Sequence, residues 1–130
     1  MQNLDHIREL EQALGFAYPP SFIDRLDEFR TMVEEPAYAR FMPNGRVLLS
    51  AAELCAAHSQ GLPDELVPFL AEENGSWIDF YAFDATSPGP EFRIVVFADH
   101  AAAMHWGNFE SFLVWLRRKI AEMGERTGSI

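Results

Sequence analysis

Apolar residues fall into a few periodic runs, and the spacing of each run predicts an element. Leu4, Ile7, Leu10 and Leu14 recur at helical spacing; Asn3 can cap the start and Gly15 the end. Tyr18-Pro19-Pro20 then enforces extended backbone, because a residue before proline avoids the helical region. Pro20 suits the first turn of a second helix, whose apolar face is Phe22, Ile23, Leu26, Phe29 and Val33. Glu34 to Pro43 has no period and reads as a loop with a short turn. Asn44-Gly45 is a turn signal, and Arg46 to Leu49 follows as a short strand. Ser50-Ala51-Ala52-Glu53 has capping-box spacing, so a short helix over Ala51 to His58 is predicted, broken at Gln60 to Pro63.

A run of strands comes next. Val67 to Ala71 is the first, and Pro68 implies an edge strand or a strand that begins there. Glu72-Glu73-Asn74-Gly75 is a hairpin signal. Trp77 to Phe83 places Trp77, Asp79, Tyr81 and Phe83 on one face and Ile78, Phe80 and Ala82 on the other. A strand apolar on both faces belongs in the middle of a covered sheet. Thr86 to Pro90 is a loop, and Phe92 to Phe97 is a strand rich in β-branched residues. Asp99 to Met104 is ambiguous. Asn108 can cap a last helix whose stripe is Phe109, Phe112, Leu113, Leu116, Ile120 and Met123, ending at Gly124 before a frayed tail. Segregated strands between N-terminal and C-terminal helices predict an α+β domain spanning 1–130, with a mostly antiparallel sheet in the middle of the chain.

Charge changes this picture. The chain of 130 residues has Asp+Glu 20 against Lys+Arg 10, a net charge of −10. From Glu53 to Glu110 there are ten carboxylates and one base, Arg93. The acidity therefore belongs to the region of the predicted sheet. Phosphate backbones and anionic lipid surfaces both attract clustered Lys and Arg, so nucleic acid and membrane surfaces are poor partners. The lone Cys55 fits a reducing compartment. The N-terminus lacks the basic and apolar regions of a signal peptide, and no apolar run approaches the ~18 residues of a membrane span. The expected location is the cytoplasm.

Candidate chemistry is sparse. Cys55 and His58 stand three apart on one helix and could face each other; a Cys–His nucleophile would also need an orienting group in a cleft, and cysteine is more often simply a buried residue. Asp99, His100 and His105 are metal-ligand types, but the histidines lack the i, i+4 spacing of a helical zinc site. No cofactor motif occurs, and neither a catalytic nor a metal assignment follows. Asp79 interrupts an apolar strand face. It either pairs across the sheet with Arg93 or displays its carboxylate to a partner. The candidate partner-binding residues are the central acids Glu72, Glu73, Asp79, Asp84 and Asp99. Tyr81 and Trp77 are aromatic anchors if exposed and core residues if not.

Several segments together resemble a known family. They are Leu14-Gly15 with Tyr18-Pro19-Pro20-Ser21-Phe22, the box Ser50 to Glu53 with Leu54, Val67-Pro68-Phe69-Leu70 leading through Asn74-Gly75 to Trp77-Ile78-Asp79-Phe80, and Phe109 to Leu113. This layout is similar to the SUKH superfamily, the Smi/Knr-like group. One departure is that Thr31 to Pro43 precedes a single Asn44-Gly45, where the family often has Asn-Gly-Gly soon after the second helix. The resemblance implies an α+β domain without catalytic residues, and a protein-binding role. Bacterial members are immunity proteins that neutralise a cognate toxin, often a nuclease; fungal relatives regulate cell-wall synthesis. An acidic surface would suit a basic toxin. The alternatives are a regulatory or scaffold domain without a toxin partner, and a small enzyme or metal binder using Cys55, His58, Asp99 and His100.

Overall fold

The computed structural model describes residues 2–75, 77–87, 91–98 and 101–128. Six helices and five strands occur among them: α1 Gln2–Leu14, α2 Pro20–Asp24, α3 Leu26–Met32, α4 Pro36–Phe41, β1 Gly45–Val47, α5 Ala51–Ser59, β2 Leu66–Asn74, β3 Trp77–Asp84, β4 Arg93–Ala98, β5 Ala101–Trp106 and α6 Phe109–Gly128. The strands form one antiparallel sheet in the order β1-β2-β3-β4-β5. The fold is α+β, with the sheet in the middle of the chain and helices at both ends, as the hydrophobic pattern predicts.

Local chemistry explains most boundaries. Gly15 ends α1 with φ 65°, a left-handed conformation that glycine adopts without steric cost. The Asn108 side chain accepts the Ser111 amide at 2.9 Å and caps α6. At the start of α5, Ser50 Oγ accepts the Glu53 amide at 3.2 Å. Glu53 does not return to the amide of Ser50. Its Oε1 accepts from the Leu49 amide at 3.3 Å and the Ser50 hydroxyl at 3.0 Å.

Several elements differ in detail from the predicted ones. The second helix breaks at Arg25, whose φ of −103° leaves the helical region. The bend lets Phe22 and Phe29 reach the same rings: Phe109 lies 4.9 Å from one and 5.6 Å from the other. The predicted loop after it contains α4, which starts on Pro36, where a missing amide costs nothing, and buries Tyr38. The ambiguous segment after Asp99 holds β5, and α6 continues through Gly124 to Gly128. β2 is an interior strand, but β1 pairs only with its Leu70 to Glu72 part, so Pro68 near the start of β2 has a ladder neighbour on the β3 side alone, as the proline implies. The register shifts between Pro68 and Leu70, so Phe69 is an extra, bulged residue. Bulges are where a sheet interior accommodates proline.

Phe69 is also the centre of the core. It is fully buried and packs on Phe83 at 4.8 Å, Phe112 at 5.2 Å and Phe109 at 5.6 Å. The predicted stripe of α6 is inward, with Phe109, Phe112, Leu113, Leu116 and Ile120 all buried. Full burial of one such side chain contributes about 1.5–3 kcal/mol. Tyr81 and Phe83 face α6; one residue out of phase, Phe80 lines a hollow beside α5. The middle strand is thus covered on both faces. Among the described residues, no helix is long and apolar enough to cross a membrane.

Candidate functional site

The β2–β3 hairpin brings two of the predicted acids together. Glu72 and Asp79 are directly opposed, so their side chains share the α6 face of the sheet. Both are half-buried. Glu73 opposes Ile78 on the other face and is exposed. Partial burial raises the Glu72 carboxyl above the usual carboxylate range, and the neighbouring Asp79 charge raises it further. The Asn44 backbone amide, hydrogen-bonded to that carboxyl, works in the opposite direction.

Two phenols complete this corner. Tyr81, two residues beyond Asp79 on the same face, is only 8% exposed. It packs on Phe112 at 5.7 Å and stacks on Trp106 at 6.1 Å. Tyr81 is therefore a core residue rather than an exposed anchor. Burial pushes its phenol well above the ordinary tyrosine value, and the charges of Glu72 and Asp79 add to that. Tyr38 comes from α4, which periodicity did not reveal. Its hydroxyl lies 3.6 Å from the Met42 sulfur, and its phenol is likewise raised by burial and then by Glu72. A Cβ on Gly45 would stand 2.6 Å from that hydroxyl, so only glycine allows β1 to pass beneath Tyr38. The one sequence signal for this contact is Asn44-Gly45. The Asn44 side chain also donates to the Glu73 carbonyl at 3.2 Å.

Among the described residues, other acids of the central segment are tied into the fold. Arg93 pairs with Asp84, not with Asp79: the two are opposed in register and Arg93 donates to Asp84 Oδ2 at 2.6 Å. Asp84 is only 5% exposed, so it is not displayed. Its Oδ1 accepts from the Thr86 hydroxyl at 2.6 Å and the Thr86 amide at 3.0 Å. Burial alone would raise this carboxyl, but the bonds from Thr86 and Arg93, with the Arg93 charge, hold it below its usual range. Glu91 bonds the Ser21 amide at 3.2 Å and also accepts the Ser21 hydroxyl. Glu53 serves the start of α5. Three of the central acids therefore fasten the fold. Asp99 lies outside the described residues, as does His100, and for Trp77 only the strand position is described, opposite Asn74.

Among the described residues, no hydrogen bond joins Cys55 to His58. Cys55 is exposed. His58 Nε2 lies 2.8 Å from the Leu66 carbonyl, which ties α5 to β2. His105 is exposed and opposes Val95, on the face away from Tyr81. Among the described residues, no group of three or more His, Cys, Asp or Glu is placed to hold a metal ion.

Among the described residues, two of the surface hollows are sizeable. One, of about 210 Å³, lies beside α5 and is lined by Arg46, Leu48, Ala52, Gln60 and Phe80. The other, of about 440 Å³, lies between α3 and α6 and is lined by Asp27, Glu28, Thr31, Met32, Glu35 and Arg117. Glu28 there bridges Arg117 and Arg25. Neither joins the acid corner. Comparison with family models, curated proteins and solved structures gives no match for this chain.

Proposed function

We propose that this chain is a non-enzymatic protein-binding module of the cytoplasm, of the immunity type that the SUKH-like segments imply. Its partner is a basic toxin of the nuclease class, held by the acidic end of the β2–β3 hairpin. The observation that carries this reading is the direct opposition of Glu72 and Asp79, with exposed Glu73 beside them. Carboxylates gathered at one hairpin end suit cationic side chains of a partner, and complementary charge would speed encounter. Glu72, Glu73 and Asp79 are the contact residues in this reading. Asp84, at the far end of β3, fastens the β3–β4 junction instead.

The test is capture of neighbouring gene products by this chain, followed by a toxin-protection assay. The variant with Glu72→Gln, Glu73→Gln and Asp79→Asn is expected to bind its toxin roughly tenfold to a hundredfold more weakly, mainly through slower association. Its affinity should also depend less on salt. A toxin complex indifferent to these three changes would remove the electrostatic part of the proposal. Failure to protect against any neighbouring toxin would remove the immunity part.

A further inference from the structure

We propose that the outer edge of β5 is where two copies of this chain associate, antiparallel about a two-fold axis. The sheet has two edges, β1 and β5. The β1 edge is guarded: three residues long, with exposed Arg46 on it and Pro43 just before it. Shortness, charge and proline all discourage strand addition. The β5 edge is six residues, Ala-Ala-Ala-Met-His-Trp, with no charged residue and no proline. Among the described residues, no strand or loop backbone bonds to its outer side. Such a row of free N–H and C=O groups is a template for another strand. Its one irregularity is Ala103, an extra residue between the partners of Val96 and Phe97. A bulge there bends the strand but adds no repelling charge.

Charge and shape both select a second copy as the occupant. With a net charge of −10, two copies repel wherever their carboxylates meet. From Ala101 to Phe109 there is no Asp, Glu, Lys or Arg. A basic partner gains nothing at this edge, and an identical one meets no repulsion. The strand is also small in its first half and large in its second. A two-fold axis normal to the sheet makes identical edges run antiparallel. With the axis between Ala103 and Met104, each large half opposes a small one: Trp106 faces Ala101, His105 faces Ala102 and Met104 faces Ala103 of the other copy. Trp106 is half-buried, and its ring lies 4.8 Å from that of half-buried Trp115. Two indoles at a sheet margin are the residue type that anchors protein interfaces. None of these residues belongs to the acid corner, so this association is independent of the toxin reading.

Sedimentation at sub-millimolar chain concentration tests it. The natural chain is expected to be a dimer. The variant with Ala102→Glu and His105→Glu places like charges opposite each other twice and should associate at least roughly tenfold more weakly. The variant with Ala102→Lys and His105→Lys should do the same. Mixing the two variants sets opposite charges face to face and should restore the dimer, which also shows that both fold. A monomeric natural chain, a glutamate variant that stays dimeric, or a mixture that fails to reassociate would each overturn the proposal.

Discussion

The two ends of β3 treat a carboxylate in opposite ways. At one end Asp84 opposes a base, Arg93, and is wrapped by Thr86. At the other Asp79 opposes an acid, Glu72. The difference separates a carboxylate whose cross-strand neighbour is a base from one whose cross-strand neighbour is an acid. Net charge does not make this distinction; cross-strand register does.

Removing Asp84 should have the largest effect. Asp84→Ala takes away the guanidinium bond and both Thr86 bonds, and is expected to destabilise by about 2–3 kcal/mol. Urea unfolding of the two chains checks it; an unchanged midpoint would show that the β3–β4 junction does not need this pair. The opposite end should respond with opposite sign. Glu72→Gln keeps an acceptor for the Asn44 amide but removes the charge facing Asp79, so it should stabilise by about 0.5 kcal/mol at neutral pH.

Acid then sharpens the contrast. The Glu72 carboxyl is raised in the folded chain, so its charge costs stability at neutral pH. That cost fades as pH falls through the raised folded value and is gone below the ordinary glutamate range. The advantage of Glu72→Gln should vanish over the same window. The Asp84 carboxyl is lowered, so its contribution persists through that window and is lost only as pH falls below the ordinary aspartate range. Unfolding midpoints between neutrality and pH ~3 should therefore converge for Glu72→Gln before they converge for Asp84→Ala.

Much of the fold was legible because burial writes a period into the sequence. The inward stripe of α6 and the two-sided apolar β3 are read directly from spacing. The missed elements have weak local signals. Ala101 to Met104 shows no apolar alternation, and β5 forms because β4 offers it a ladder. Pro68 argued for an edge, and it stands where β2 has no β1 partner, because β1 pairs only with Leu70 to Glu72. The acid corner was half legible. Its residues stood out by charge, yet their facing depends on register. Had Asn74-Gly75 formed the turn centre, Glu72 would oppose Trp77. The pairing of Asn74 with Trp77 moves the turn one residue on and sets Glu72 against Asp79 instead. Tyr38 was hidden because a six-residue helix is too short to show a period.

The order of strands has a consequence in time. β2, β3, β4 and β5 are neighbours both in sequence and in the sheet, so each pairing closes a short loop. β1 alone meets its neighbour across an intervening helix, α5. Longer closures cost more entropy and form later. The peripheral α4–β1 segment is thus expected to dock last and open first, with amide protons at Gly45–Val47 exchanging ahead of those in β3. Because that segment carries Tyr38 and Asn44, the wall around Glu72 is assembled at the end of folding and is the first part to breathe.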